Sequence, residues 1–194
     1  MKKSQLIYQY IREQGAVSKQ DIVIGLGLSL PTITQNLNNL AELGLIDTSK
    51  KISNTGGRNA TAYSYIEKAR YAVGLYLNRH HINCVAVDLS GNVISLIRVR
   101  ENFDLNDDNY LRKIGETVEE VKKDTGLSDD RFLGVGIAVQ GLISDDGERV
   151  TYGLTLNFTG VTRADIAKYI PYHNRLFHDS AAAGYAEVWD RNDL

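Results

Sequence analysis

Thiols are nearly absent from this chain. One cysteine, Cys84, among 194 residues excludes an internal disulfide and any cysteine-based zinc site. Long apolar runs are missing as well, since nothing approaches the ~20 residues needed to span a bilayer. Met1-Lys2-Lys3 leads into an amphipathic pattern rather than the unbroken apolar core of a signal peptide. These absences predict a soluble, cytoplasmic protein with no membrane partner, in which the sequon Asn157-Phe158-Thr159 is accidental. The four histidines are scattered: His80 and His81 adjoin and point to opposite sides of an extended segment, while His173 and His178 stand apart. Neither a metal site nor a cofactor is expected from them. What is present, 43% hydrophobic residues, suffices for one large packed domain or two small ones.

Charge is unevenly spread. Residues 1–70 hold 9 Lys/Arg against 5 Asp/Glu, net +4, whereas the remainder holds 13 against 19, net −6. Such asymmetry suggests a front that faces nucleic acid and a back with another task. The basic part opens with a helix over 4–14, ended by Gly15. Ser18 then reads as the N-cap of a second helix and Gly27 as its turn, while Ser29 and Pro31 start a third. Ile33, Leu37 and Leu40 share one face of that third helix, leaving Thr34, Gln35 and Asn38 elsewhere. An apolar back with an uncharged hydrogen-bonding front suits a DNA major groove. Strand-like 45–49 and 60–66 flank a basic, glycine-bearing tip at 50–59, which reads as a wing with Arg58 placed for a minor groove. The alternative is a plain helical hairpin whose polar face meets water. A winged helix-turn-helix over 1–66 is expected, reading double-stranded operator DNA through Ser29, Thr32, Thr34, Gln35, Asn38 and Arg58.

A short charged hinge, Glu67-Lys68-Ala69-Arg70, separates this part from the second. Three strands are expected at 71–77, 82–88 and 93–99, then an amphipathic helix from about 108 to 125. A buried strand at 132–139, a helix at 162–170, a strand near 175–177 and a helix from 180 to 189 complete the order βββαβαβα. Antiparallel strands followed by βαβ crossovers give a mixed sheet with helices on its faces. The whole is α/β, and residues 71–194 form a ribonuclease-H-like half-domain of the actin-like ATPase kind. Gly134 and Gly136 lie inside a strand and miss the dinucleotide-binding spacing, so close packing explains them. Gly141, after the strand, is the better candidate for approach to a ligand. Asp179 follows a strand end, where a carboxylate serves a ligand hydroxyl or caps the next helix; spacing leaves both open.

Taken together, these residues resemble the ROK (repressor, open reading frame, kinase) family, whose repressors set a winged helix-turn-helix before a sugar-kinase-like body. The resemblance rests on Leu28-Ser29-Leu30-Pro31-Thr32-Ile33-Thr34, Leu43-Gly44-Leu45-Ile46 and Gly56-Gly57-Arg58, then on 134–141, Asn157 and 178–187. It implies a sugar or sugar-phosphate effector held by Gly141, Asn157, His178 and Asp179, the last being the catalytic base of family kinases. The departures are as informative. Where those kinases carry an Asp-Ile-Gly-Gly-Thr-Lys phosphate loop, this chain has Tyr76-Leu77-Asn78-Arg79-His80-His81, and Gln140 replaces the loop proline. Phe177 and His178 stand where the family has Glu and Asn. The sequence ends before the family's Glu-x-x-Gly-His sugar ligands, its cysteine zinc motif and its second lobe; a fragment and a naturally short product both fit.

The expectation is therefore a sequence-specific regulator of carbohydrate-utilisation genes, a repressor without catalytic residues. A homodimer is expected, through a last helix carrying Ala183, Val188 and Trp189, although Trp189 also suits the core. The alternatives are a sugar kinase with an attached DNA-binding domain and a pure assembly module.

Overall fold

The computed structural model describes residues 2–52 and 60–190, without the side chains of Trp189 and Asp190. Residues 53–59, which hold the expected wing tip and Arg58, lie outside the described residues, as does the Trp189 side chain. The chain divides into two compact units, Met1–Ala69 and Arg70–Leu194.

The first unit is built from α1 (Lys3–Gln14), β1 (Val17–Ser18), α2 (Lys19–Leu26), α3 (Leu30–Glu42), β2 (Ile46–Asp47), β3 (Lys51–Ile52) and β4 (Ala60–Tyr65). Local chemistry places each helix end. The Ser18 hydroxyl accepts the Asp21 amide at 3.2 Å while the Asp21 carboxylate accepts the Ser18 amide at 2.8 Å, so two free donors of the first turn are satisfied reciprocally. Gly27 closes α2 in the left-handed conformation, φ 61°, where a side chain would be strained. Ile7, Ile11, Ile22, Ile33 and Leu37 are all at most 1% exposed and form the core, with the three helices on one side and β4 on the other. β4 pairs antiparallel with β1, β2 and β3. The strand expected over 45–49 shortens to Ile46–Asp47, because the Asp47 carboxylate turns back onto the amide and hydroxyl of Ser49, each at 2.9 Å.

In the second unit, β5 (Tyr71–Asn78), β6 (His81–Asp88) and β7 (Val93–Arg100) precede α4 (Asp108–Asp124) and β8 (Phe132–Val139). A hairpin of β9 (Leu142–Ile143) and β10 (Val150–Tyr152) follows, then α5 (Arg163–Ile166), β11 (Asn174–His178) and α6 (Asp179–Asp190). The five-stranded sheet runs β11-β8-β5-β6-β7, parallel across its first three strands and antiparallel beyond. Strict alternation in β5 and β6 sends Val73, Leu75, Leu77, Ile82 and Cys84 to the face that α4 covers with Leu111, Ile114, Val118 and Val121.

Two expectations need correction here. The helix expected over 162–170 is a single turn, Arg163–Ile166, closing at Ala167 with φ −88° and ψ 18°. Pro171 disfavours a helical Ile170, and Tyr169 is drawn away to Asp108. The β9–β10 hairpin was not expected, since strands of two and three residues show no alternation to read.

Asp108, in the first turn of α4, ties α4 to the α5 region. Its carboxylate accepts from Lys168 Nζ at 2.6 Å and from the Tyr169 hydroxyl at 2.8 Å, which hold its pKa down at about 2. A carboxylate depressed in the folded state stabilises above its ordinary value of 3.8, and that contribution is lost as pH falls from there to about 2. Thermal melts of the wild type are therefore expected to fall more steeply across that window than those of Asp108→Asn. Equal slopes would remove this tie from the acid response.

Candidate nucleic-acid interface and effector wall

The outward face of α3 follows from the burial of its back. With Ile33, Leu37 and Leu40 at most 4% exposed, helical spacing sends Pro31, Thr34, Gln35, Asn38, Asn39 and Glu42 outward in one stripe. The stripe carries hydroxyl and amide groups along its length, with charge only at Glu42. Thr34, Gln35 and Asn38 are thus brought together as expected from sequence, and Asn39 joins them. Asn39 was recoverable from its spacing of four residues after Gln35.

Ser29 and Thr32 stand at the start of α3. Ser29 caps α3: its hydroxyl accepts the Thr32 amide at 3.4 Å and lies 2.9 Å from the Thr32 hydroxyl. The Thr32 carbonyl accepts from Asn36 Nδ2 at 2.8 Å. Thr32 falls about 60° from Gln35 and about 20° from Asn39 around the helix, so it borders the stripe on the side away from Thr34. Beside the N-terminal ends of α2 and α3, a depression of about 300 Å³ is lined by Lys19, Gln20, Leu30, Thr61 and Tyr63. It combines a cation, an amide and a hydroxyl in the basic unit.

A second depression, of about 460 Å³, lies at the carboxyl ends of the parallel strands of the second unit. Gln140, Gly141, Thr155, His178 and Asp179 line it beside Leu154. Gly141, His178 and Asp179 are brought together; Asn157 is not. Asn157 sits exposed in a left-handed turn, φ 54°, and its amide donates to the Leu154 carbonyl at 3.2 Å. Gly141 has a packing reason for its size, since a Cβ there would lie 2.8 Å from Val150 Cγ1 and 3.1 Å from Phe158 Cζ. The Asp179 carboxylate accepts the Ser180 amide at 2.7 Å at the start of α6 and lies 3.4 Å from His178 Nδ1. It therefore holds the helix start and borders the depression together. Close by, Gln140 Nε2 donates to the Tyr76 hydroxyl at 3.1 Å, and Arg79 donates to the Thr155 carbonyl at 2.8 Å.

Among the described residues no group of three or more His, Cys, Asp or Glu side chains is arranged to hold a metal ion. The two adjacent histidines are absorbed by a turn in which Asn78 Oδ1 accepts both of their amides, at 3.1 and 3.0 Å. Among the described residues no helix is long and apolar enough to cross a membrane.

No protein-family model matches the chain. It is 23% identical over 167 residues to the DNA-binding transcriptional dual regulator NagC of Escherichia coli K12, covering 77% of this chain and 36% of that protein. The N-acetylglucosamine repressor of Shigella flexneri matches with the same identity and coverage. The chain thus spans about a third of the length of the curated relatives it matches. Among solved structures, a ROK family transcriptional regulator, described as a homolog of the E. coli MLC protein, superposes with a TM-score of 0.71 at 19% identity. That match covers 95% of this chain and 47% of the other, and it shows a shared α/β fold with a mixed sheet. The chain is thus similar in sequence to the N-acetylglucosamine repressors and in fold to a ROK family transcriptional regulator.

Proposed function

We propose that the chain is a sequence-specific DNA-binding regulator, a repressor of carbohydrate-utilisation genes. In this reading residues 1–66 are a winged helix-turn-helix and residues 71–194 a degenerate, sugar-kinase-like body. The observation that carries it is the stripe Thr34, Gln35, Asn38 and Asn39 on α3, uncharged and outward over a fully apolar back. Amides of this kind pair with base edges in the major groove, while Lys19, Gln20 and Thr61 suit backbone phosphates. Arg58 would reach a minor groove, and a homodimer would engage two half-sites. Fluorescence anisotropy against the upstream region of its own operon tests the reading, with operator preferred over scrambled DNA at moderate salt. Equal affinity for both sequences refutes it.

The body is read as a sensor without kinase activity. Phosphoryl transfer depends on positioning and neutralising phosphate charge. In the turn where family kinases cradle phosphate, the Tyr76 hydroxyl is engaged by Gln140, and Arg79 is tied to the Thr155 carbonyl. Gln140, His178 and Asp179 offer a sugar one wall. A site normally encloses most of a small ligand, and bonds made on one open wall are largely exchanged with water. Binding of hexoses or their 6-phosphates is therefore expected at millimolar or weaker affinity in calorimetry. Micromolar binding abolished by Asp179→Ala would overturn the one-wall argument, and ATP turnover with a hexose would revive the kinase alternative.

A further inference from the structure

We infer that α3 reads a run of A·T base pairs and contacts no guanine, with Gln35 and Asn38 on adenines of successive pairs and Leu30 and Thr34 against thymine methyl groups. This rests on the DNA-binding reading above and names the bases that the same surface selects. Between Leu30 and Glu42 the helix carries neither lysine nor arginine. Guanine shows the major groove two acceptors, O6 and N7, which a guanidinium or ammonium group satisfies. An amide placed there would donate to one acceptor and leave its own carbonyl oxygen facing the other. Adenine shows an acceptor at N7 beside a donor at N6, so one amide matches both at once.

Gln35 and Asn38 are free to do this. Both are exposed, and neither side chain has a hydrogen-bond partner among the described residues. Asn36, by contrast, is spent on the Thr32 carbonyl. Three residues of helix advance about 4.5 Å, close to the ~3.4 Å step between base pairs, so the two amides meet successive pairs. Leu30 supplies a second, independent observation. It is 51% exposed at the start of α3, where it borders both the outward stripe and the depression that holds Lys19 and Thr61. A large apolar side chain facing a duplex there finds its apolar partner in the thymine 5-methyl group. Thr34, one turn beyond Leu30, adds a methyl-bearing side chain on the same side. Glu42, whose carboxylate suits the cytosine amino group, lies about 10 Å beyond Gln35, at the end of the helix away from its base-reading start.

Duplexes selected by the full chain from a randomised pool test this, once single bases in them are replaced by analogues. 7-Deazaadenine lacks the N7 acceptor, and is expected to weaken binding about tenfold or more at two successive pairs. Gln35→Ala should abolish the analogue's effect at one of them and Asn38→Ala at the other. Uracil in place of thymine removes only the methyl group; it should cost the wild type about threefold or more and Leu30→Ala nothing further. 7-Deazaguanine is expected to be tolerated throughout the selected site. Affinity lost on 7-deazaguanine, adenines that tolerate their analogue, or thymines that uracil replaces without cost would overturn the base assignment and leave a sequence-specific DNA-binding protein. A selection that recovers no preferred sequence removes that reading and this one together.

Discussion

Alanine at both Gln35 and Asn38 is expected to lower operator affinity by about 10²–10⁴-fold, since one well-placed amide pair discriminates by about 1–3 kcal/mol. The melting temperature should stay within a degree or two, because both side chains point outward and carry no hydrogen bond to the rest of the described chain. Affinity for scrambled DNA should change little, as that binding comes from cations on phosphate. Thr32→Ala supplies the contrast. Its hydroxyl is spent on Ser29, so less than about a tenfold change in affinity is expected. Lys19→Ala should weaken operator and scrambled DNA alike and reduce the salt slope by about 1. A double variant that keeps wild-type affinity, or loses operator and scrambled binding equally, would take the stripe out of recognition.

The parts of this fold that were legible in the sequence are those decided within a turn or two of chain. Ser18, Gly27 and Ser29 announce helix ends through their own backbone chemistry, and they stand at those ends in the structure. Leu111, Ile114, Val118 and Val121 fix the buried face of α4, and the alternation in β5 and β6 fixes which side chains meet it. What sequence left out depends on distant partners. Gly141 looks open to a ligand until Val150 and Phe158 are seen to fill the space beside it. Asn157 is expected from the resemblance at a sugar-contacting position, yet it sits exposed in a left-handed turn. Thr32 and Thr34 look equivalent as letters, and only the contact of the Thr32 hydroxyl with the capping Ser29 hydroxyl separates them. The apolar depression between Gly74, Val85 and Leu96 has no local signature at all, because they become neighbours only through strand pairing.

The largest stability loss is expected at Gly134, and it should be confined to the second unit. Two costs meet there. Its φ of +135° is a conformation that L side chains rarely adopt, and a Cβ would sit 2.5 Å from the His173 carbonyl oxygen, well inside contact distance. That carbonyl cannot swing aside freely, since it accepts the Val135 amide at 2.9 Å where β11 enters the sheet beside β8. Backbone strain of about 1–3 kcal/mol and overpacking of similar size add, so Gly134→Ala should cost about 2–5 kcal/mol. For a unit of this size that lowers the melting temperature by about 10–20 °C. Gly147→Ala is the control, because φ is +75° but a Cβ there meets nothing within 4 Å, leaving strain alone at about 1–2 kcal/mol. The two variants therefore share a positive φ and differ in what stands beside the new methyl group. Calorimetry should show the Gly134→Ala transition displaced several times further than that of Gly147→Ala. The transition of the first unit, whose core residues Ile7, Ile11, Ile22 and Ile33 are separate, should stay in place. Equal displacement of the two variants would mean that the His173 carbonyl yields, and that the parallel pairing of β11 with β8 is looser than its hydrogen bonds indicate.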